Sequence, residues 1–155
     1  MQIFRKFRVW LFTGLIFLVL GFAKEALAGD IILNDLSGKA VNVSTFNGHP
    51  AILFFWTSWC PYCRTEIKAL NQGYAQIKEE GIVVFGVNIG ESPDKVRGFF
   101  KDYPLNFGIL LDSKAKLAEK YGVLGVPTYV FLDKTGQVIS QYHTLPENYK
   151  SLLFK

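Results

Sequence analysis

The chain of 155 residues is long enough for one domain and a targeting segment. Half of its residues are hydrophobic and only two are cysteines, which excludes a small scaffold that depends on several disulfide staples. The formal net charge of +4 does not indicate a nucleic-acid surface: Arg5, Lys6, Arg8, Lys24 and Glu25 place +3 of it in the first 28 residues, and no basic stripe with interleaved aromatics follows.

Those first residues read as an export signal. Arg5, Lys6 and Arg8 form a positive start, Val9 to Ala23 is an uncharged and mostly apolar stretch, and Ala26-Leu27-Ala28 offers a small–x–small cleavage pattern before Gly29. The alternative is an uncleaved membrane anchor. It must include Lys24 and Glu25 to approach the roughly 20 apolar residues a bilayer core requires. Both readings carry residues 29–155 out of the cytoplasm, because the positive residues stay inside. The expected location is the periplasm or the outer face of the cytoplasmic membrane.

Residues 29–155 have the size of one domain. Ile31 to Val43 reads as a short hairpin around the turn-forming Asp35-Leu36-Ser37-Gly38-Lys39. Ala51 to Trp56 is a continuous apolar run, the pattern of a central strand buried on both faces. Pro61 opens a helix to about Glu80, with Ile67, Leu70, Tyr74 and Ile77 spaced along its inner face and Gly81 ending it. Ile82 to Val87 is a second buried strand, and residues 88–92 are expected to form a loop. Pro93 to about Tyr103 is expected to be a helix with Val96, Phe99 and Phe100 inward. Asn106 to Leu111 is expected to be a short strand or extended segment, and Ser113 is expected to cap a helix through about Tyr121. Thr128 to Leu132, a tight turn at Asp133-Lys134-Thr135-Gly136 and Gln137 to Tyr142 make a hairpin. A last helix is expected from Pro146 to about Phe154. The alternation implies right-handed βαβ units, so the fold class is α/β: a central mixed sheet flanked by helices, with an N-terminal hairpin lead-in.

The chemistry concentrates in Trp59-Cys60-Pro61-Tyr62-Cys63, directly after the buried strand. A C-x-x-C at a strand-to-helix junction is a redox signature with a mechanism. At a helix start, unpaired N–H groups and the helix dipole favour negative charge on Cys60. A free thiol with a pKa near 8.5 is only about 3% thiolate at pH 7; lowering the pKa to about 7 gives roughly half. Cys60 then attacks a substrate disulfide, and Cys63, one turn further in, resolves the mixed disulfide. A structural bridge over so short a loop would add little stability. A c-type haem site needs a histidine where Arg64 stands. Zinc needs further ligands, and neither His49 nor His143 has motif spacing with the pair.

The segment from Phe54-Phe55-Trp56 through Cys63 resembles the active site of the thioredoxin superfamily. The closer resemblance is to the exported TlpA/ResA-like thiol–disulfide oxidoreductases, and it covers nearly all of residues 31–155. Leu33 to Lys39, Val87-Asn88-Ile89-Gly90-Glu91, Tyr121 to Thr128 and Asp133 to Gly136 carry it as well. The resemblance implies that Pro127 is cis and lies beside the cysteines, that the Val126 backbone pairs with an extended substrate, and that Trp59, Pro61 and Tyr62 complete the substrate surface. It also implies an acid near the cysteines. A buried aspartate found in many thioredoxins is replaced here by Phe54, whereas Glu66, three residues after Cys63, matches the acid of the resembling reductases and is a candidate acceptor for the Cys63 proton. No cofactor and no metal are expected. The expected partners are thiols and disulfides of exported proteins, with apocytochrome c as the client the family suggests, and a membrane electron donor; no nucleic-acid partner is expected. The expected activity is protein-disulfide reduction, and Pro61-Tyr62 between the cysteines leaves the reduction potential open.

Three alternatives stand beside it. An oxidase or isomerase would share the fold. Thr57-Ser58-Trp59-Cys60 contains the T-x-x-C of a thiol peroxidase, although Leu53 stands where that pattern has proline. A non-enzymatic carrier would use the pair as soft metal ligands.

Overall fold

The computed structural model describes residues 31–43, 46 and 48–154. The proposed leader at residues 1–28 lies outside them. In chain order the elements are β1 (Ile32–Asp35), β2 (Ala40–Asn42), β3 (Ala51–Trp56), α1 (Pro61–Glu79), β4 (Val83–Ile89), α2 (Pro93–Phe99), β5 (Gly108–Asp112), α3 (Lys116–Lys120), β6 (Thr128–Leu132), β7 (Val138–Tyr142) and α4 (Tyr149–Leu153).

The continuous apolar run becomes the most enclosed strand. Every residue of β3 is buried, because side chains from successive positions enter opposite cores. Ile52, Phe54 and Trp56 pack with Ile67, Leu70 and Ile77 of α1, Val96 of α2 and Leu153 of α4. Ala51, Leu53 and Phe55 pack with Leu117, Ala118 and Tyr121 on the opposite face. Burial of a side chain the size of Leu or Phe contributes about 1.5–3 kcal/mol, so these two clusters supply the main drive for folding.

One seven-stranded sheet runs β2-β1-β5-β4-β3-β6-β7. β3, β4 and β5 are parallel, and β6 enters antiparallel to β3 with Phe55 opposite Thr128. β6 therefore begins beside the end of β3. This register delivers the loop before Thr128 to the same sheet edge from which Cys60 departs.

Two hairpin turns share one chemistry. Asp35 accepts hydrogen bonds from the Ser37 N–H and hydroxyl and from the Lys39 N–H. Asp133 does the same with Thr135 and the Gln137 N–H. Gly38 and Gly136 take φ of 87° and 82°, a region glycine reaches without a Cβ clash. These hydrogen bonds, first those from Ser37 and Thr135, hold both aspartates below the usual carboxylate range.

Several boundaries differ from the sequence reading. Asn88 and Ile89 belong to β4, where Asn88 pairs opposite Trp56, and are not in a loop. α2 stops at Phe99 instead of Tyr103: tight turns follow through Tyr103, and Pro104 drives the residue before it away from helix. β5 starts at Gly108 because Asn71 holds Asn106 by two hydrogen bonds. Ser113 does not cap α3. The buried Asp112 carboxylate accepts from the Leu117 and Ala118 N–H groups, and Ala115 at the helix start takes a left-handed φ of 54°. The last helix begins at Tyr149, after a turn in which the Tyr149 N–H bonds the Pro146 carbonyl.

Candidate active site

Cys60 is the residue that caps the start of α1, and Pro61 is the first residue within the helix. Its backbone is extended, and its sulfur accepts a hydrogen bond from the Cys63 N–H at 3.1 Å. That bond uses one of the donors that every helix start leaves unpaired. Cys60 and Cys63 form a disulfide with Cα atoms 5.3 Å apart. Both are buried, Cys63 completely. Cys60 stands at the turn and Cys63 on the inner face of the helix.

The Val126–Pro127 bond is cis, and the Cys60 sulfur lies 3.8 Å from the Val126 carbonyl oxygen. Val126 and Pro127 are half-buried, whereas Trp59 and Tyr62 are 67% and 78% exposed. A buried sulfur thus sits beneath a rim of exposed aromatic surface. His143 approaches the back of the same loop, with Nδ1 2.8 Å from the Pro127 carbonyl oxygen. Leu124, fully exposed on the way to Val126, was not marked by the sequence reading.

Glu66 is half-buried. Its Oε2 accepts hydrogen bonds from the Tyr129 hydroxyl at 3.0 Å and the Leu145 N–H at 3.4 Å. Tyr129 is fully buried, and its ring centroid is 4.6 Å from that of Phe54. Burial first, and then the Glu66 charge, push the Tyr129 hydroxyl pKa well up, so the phenol stays a donor toward Glu66. Phe54 thus packs against the ring of Tyr129, whose hydroxyl ties Glu66 down.

A second carboxylate escaped the sequence reading as a site residue. Glu91, in the turn between β4 and α2, is buried and accepts hydrogen bonds from the Ser58 N–H (2.7 Å), the Ser58 hydroxyl (2.6 Å) and the Asn88 amide (2.7 Å). Lys95 pairs with it at 2.6 Å. Burial raises its pKa, but the hydrogen bonds from Asn88, Lys95 and Ser58 outweigh burial and hold it at about 2. Arg64 completes the surroundings, donating to the Ser58 carbonyl at 3.1 Å with its guanidinium over the Phe99 ring. The sequence marked this segment only through the resemblance carried by Val87 to Glu91, without assigning Glu91 a role.

The fold and the bridged pair at its strand-to-helix junction define a redox protein of the thioredoxin class. Comparison with known proteins specifies it further. The model of the AhpC/TSA family matches residues 25–148. The chain is 32% identical over 114 residues to the thiol–disulfide oxidoreductase ResA of Bacillus thuringiensis subsp. konkukian, covering 74% of this chain and 66% of that protein. It therefore spans just under two thirds of that relative's length. Among solved structures, StoA of Bacillus subtilis superposes with a TM-score of 0.70 at 26% identity, covering 83% of this chain and 98% of that one. A secreted disulfide oxidoreductase of Mycobacterium tuberculosis gives 0.66 at 26% identity, covering 79% and 92%. The chain belongs to the AhpC/TSA family and, within it, to the TlpA/ResA-like thiol–disulfide oxidoreductases.

Proposed function

We propose that this chain is a thiol–disulfide oxidoreductase that reduces disulfides of exported proteins, apocytochrome c among them. The observation that carries the activity is Cys60 at the start of α1, its sulfur hydrogen-bonded by the Cys63 N–H beneath the Trp59 and Tyr62 rim. In the reduced state the same N–H stabilises a Cys60 thiolate. That thiolate attacks one sulfur of a client disulfide, forming a mixed disulfide and releasing the other client sulfur as a thiolate. Cys63 loses its proton, with Glu66 as the acceptor, and attacks the Cys60 sulfur. The client leaves fully reduced, and the Cys60–Cys63 disulfide is restored. Two electrons pass to the client in each cycle, so a dithiol donor must re-reduce the pair. In an oxidising compartment that donor is a membrane protein.

Trp59, Pro61, Tyr62, Val126 and Pro127 form the client-binding surface in this reading. Their apolar rim and the Val126 backbone suit an extended peptide of varied sequence. Export rests on the leader at residues 1–28. The M. tuberculosis neighbour, described as secreted, supports it. The choice of apocytochrome c and of the reductive direction rests on the TlpA/ResA resemblance.

Trapping tests the cycle. Cys63→Ser is expected to accumulate mixed disulfides with exported proteins, while Cys60→Ser accumulates none; the opposite pattern reverses the roles. The reduction potential of the parent pair tests direction, a low potential supporting the reductase and a high one the oxidase. Turnover of hydrogen peroxide faster than of protein disulfides would replace this reading with a peroxidase.

A further inference from the structure

The turn that presents Trp59 and Cys60 is held through a single residue. All three polar groups of Ser58 are engaged: its N–H and hydroxyl by Glu91, its carbonyl by Arg64. Glu91 reaches it from the turn before α2, and Arg64 from α1, immediately after Cys63. The Cys60 N–H adds only a long bond, 3.4 Å, to the Thr57 carbonyl. The grip on Ser58 is therefore what holds the backbone entering Cys60 in place. A buried carboxylate is a costly way to achieve stability alone, because its desolvation offsets much of what its partners return. Charged hydrogen bonds do, however, fix geometry more tightly than neutral ones.

We propose that Glu91 is a positioning residue of the redox centre: through Ser58 it fixes the turn that sets the Cys60 sulfur against the Cys63 N–H. The proposal rests on the thiol–disulfide reading above and adds a part to it. The sign of one measurable quantity separates this role from its rivals. If Glu91 positions the turn, its loss weakens the hydrogen bond to the Cys60 thiolate, and the Cys60 pKa rises. If Glu91 acts only through its negative charge, its loss favours the thiolate, and the pKa falls. If Glu91 serves stability alone, the pKa does not move.

The test is Glu91→Gln in the reduced full chain, with Cys60 titrated by the ultraviolet absorbance of its thiolate and by its rate of alkylation. The expected result is a rise of about one unit. At neutral pH the thiolate fraction then falls by up to about tenfold, and higher intrinsic nucleophilicity restores about threefold, leaving disulfide exchange about threefold slower. Ser58→Ala, which keeps the N–H bond and loses only the hydroxyl bond, is expected to move the pKa in the same direction by less. It also reads the proposal if Glu91→Gln fails to fold. An unchanged or lowered Cys60 pKa in the folded variants overturns the positioning role. The titration needs no client, so it is independent of the functional reading. A parent chain that exchanges no protein disulfide, with variants that raise the pKa, would remove the proposed function and leave the positioning role standing.

Discussion

Glu66 and Glu91 sit on the two elements that bracket Cys60 and Cys63, the first within α1 and the second in the turn after β4. Glu91 is saturated, accepting from a backbone N–H, a hydroxyl and an amide and pairing with an ammonium group. Glu66 is only half-buried and is held by one phenol and one long backbone bond, both to the same oxygen. A carboxylate with both oxygens engaged and a pKa of about 2 cannot exchange protons near neutral pH. The same side-chain chemistry is therefore held in two ways: Glu91 is a fixed anchor, and Glu66, proposed above as the acceptor of the Cys63 proton, is tied through one oxygen only.

The largest expected effect tests the anchor. The depressed folded-state pKa of Glu91 means that its contribution to stability is complete above its ordinary value of 4.5 and is lost as pH falls through about 2. At neutral pH that contribution is of order 3 kcal/mol by linkage. Glu91→Gln is therefore expected to be less stable by up to about that amount at pH 7, with the gap to the parent narrowing in acid. Denaturant unfolding at several pH values measures both. Equal stability at pH 7 would erase the contrast between the two acids.

Glu66→Gln tests the base. The amide oxygen of the variant can still accept from Tyr129 and Leu145, so unfolding stability is expected to change by less than about 1 kcal/mol. Exchange with protein disulfides should nevertheless slow by about tenfold or more. Stopped-flow kinetics against an unfolding curve separates the two, and full activity would leave Glu66 a structural acceptor.

Tyr129→Phe keeps the buried ring and removes the phenol donor. A loss of about 1 kcal/mol of stability is expected, with a shift in the pH profile of exchange smaller than that of Glu66→Gln. The smallest effect belongs to Lys95→Ala. Its side chain is half exposed, so screening leaves the pair less than about 1 kcal/mol even though its partner is buried. A larger loss would show that Glu91 depends on its counter-charge more than on Ser58 and Asn88.

How much of this was legible in the sequence follows the range of the interactions. The run Ala51 to Trp56, the strand Thr128 to Leu132, the Pro61 helix start and both Asp-x-(Ser/Thr)-Gly turns are set by local pattern, and they stand where expected. Ser113 looked like a helix cap because serine is a good one, but Asp112 reaches past it. Tyr103 looked helical until Pro104 is weighed. For the site, Cys60 and Cys63 announced themselves by spacing. The pairing of Glu66 with Tyr129 spans 63 positions and that of Ser58 with Glu91 spans 33, and no window of sequence reports contacts that only the sheet register creates.

The rim beside the cysteines also has an optical consequence. The chain has three tryptophans; Trp10 belongs to the proposed leader, and the other two are Trp56 and Trp59. One is enclosed in the core at the end of β3, and the other is exposed next to Cys60. A neighbouring disulfide quenches indole emission, and the tryptophan fluorescence of residues 31–154 comes from these two side chains, on either side of the turn into Cys60. Reduction, client capture and release can then be followed in real time on the unlabelled protein, with Trp59 reporting the surface events and Trp56 the interior.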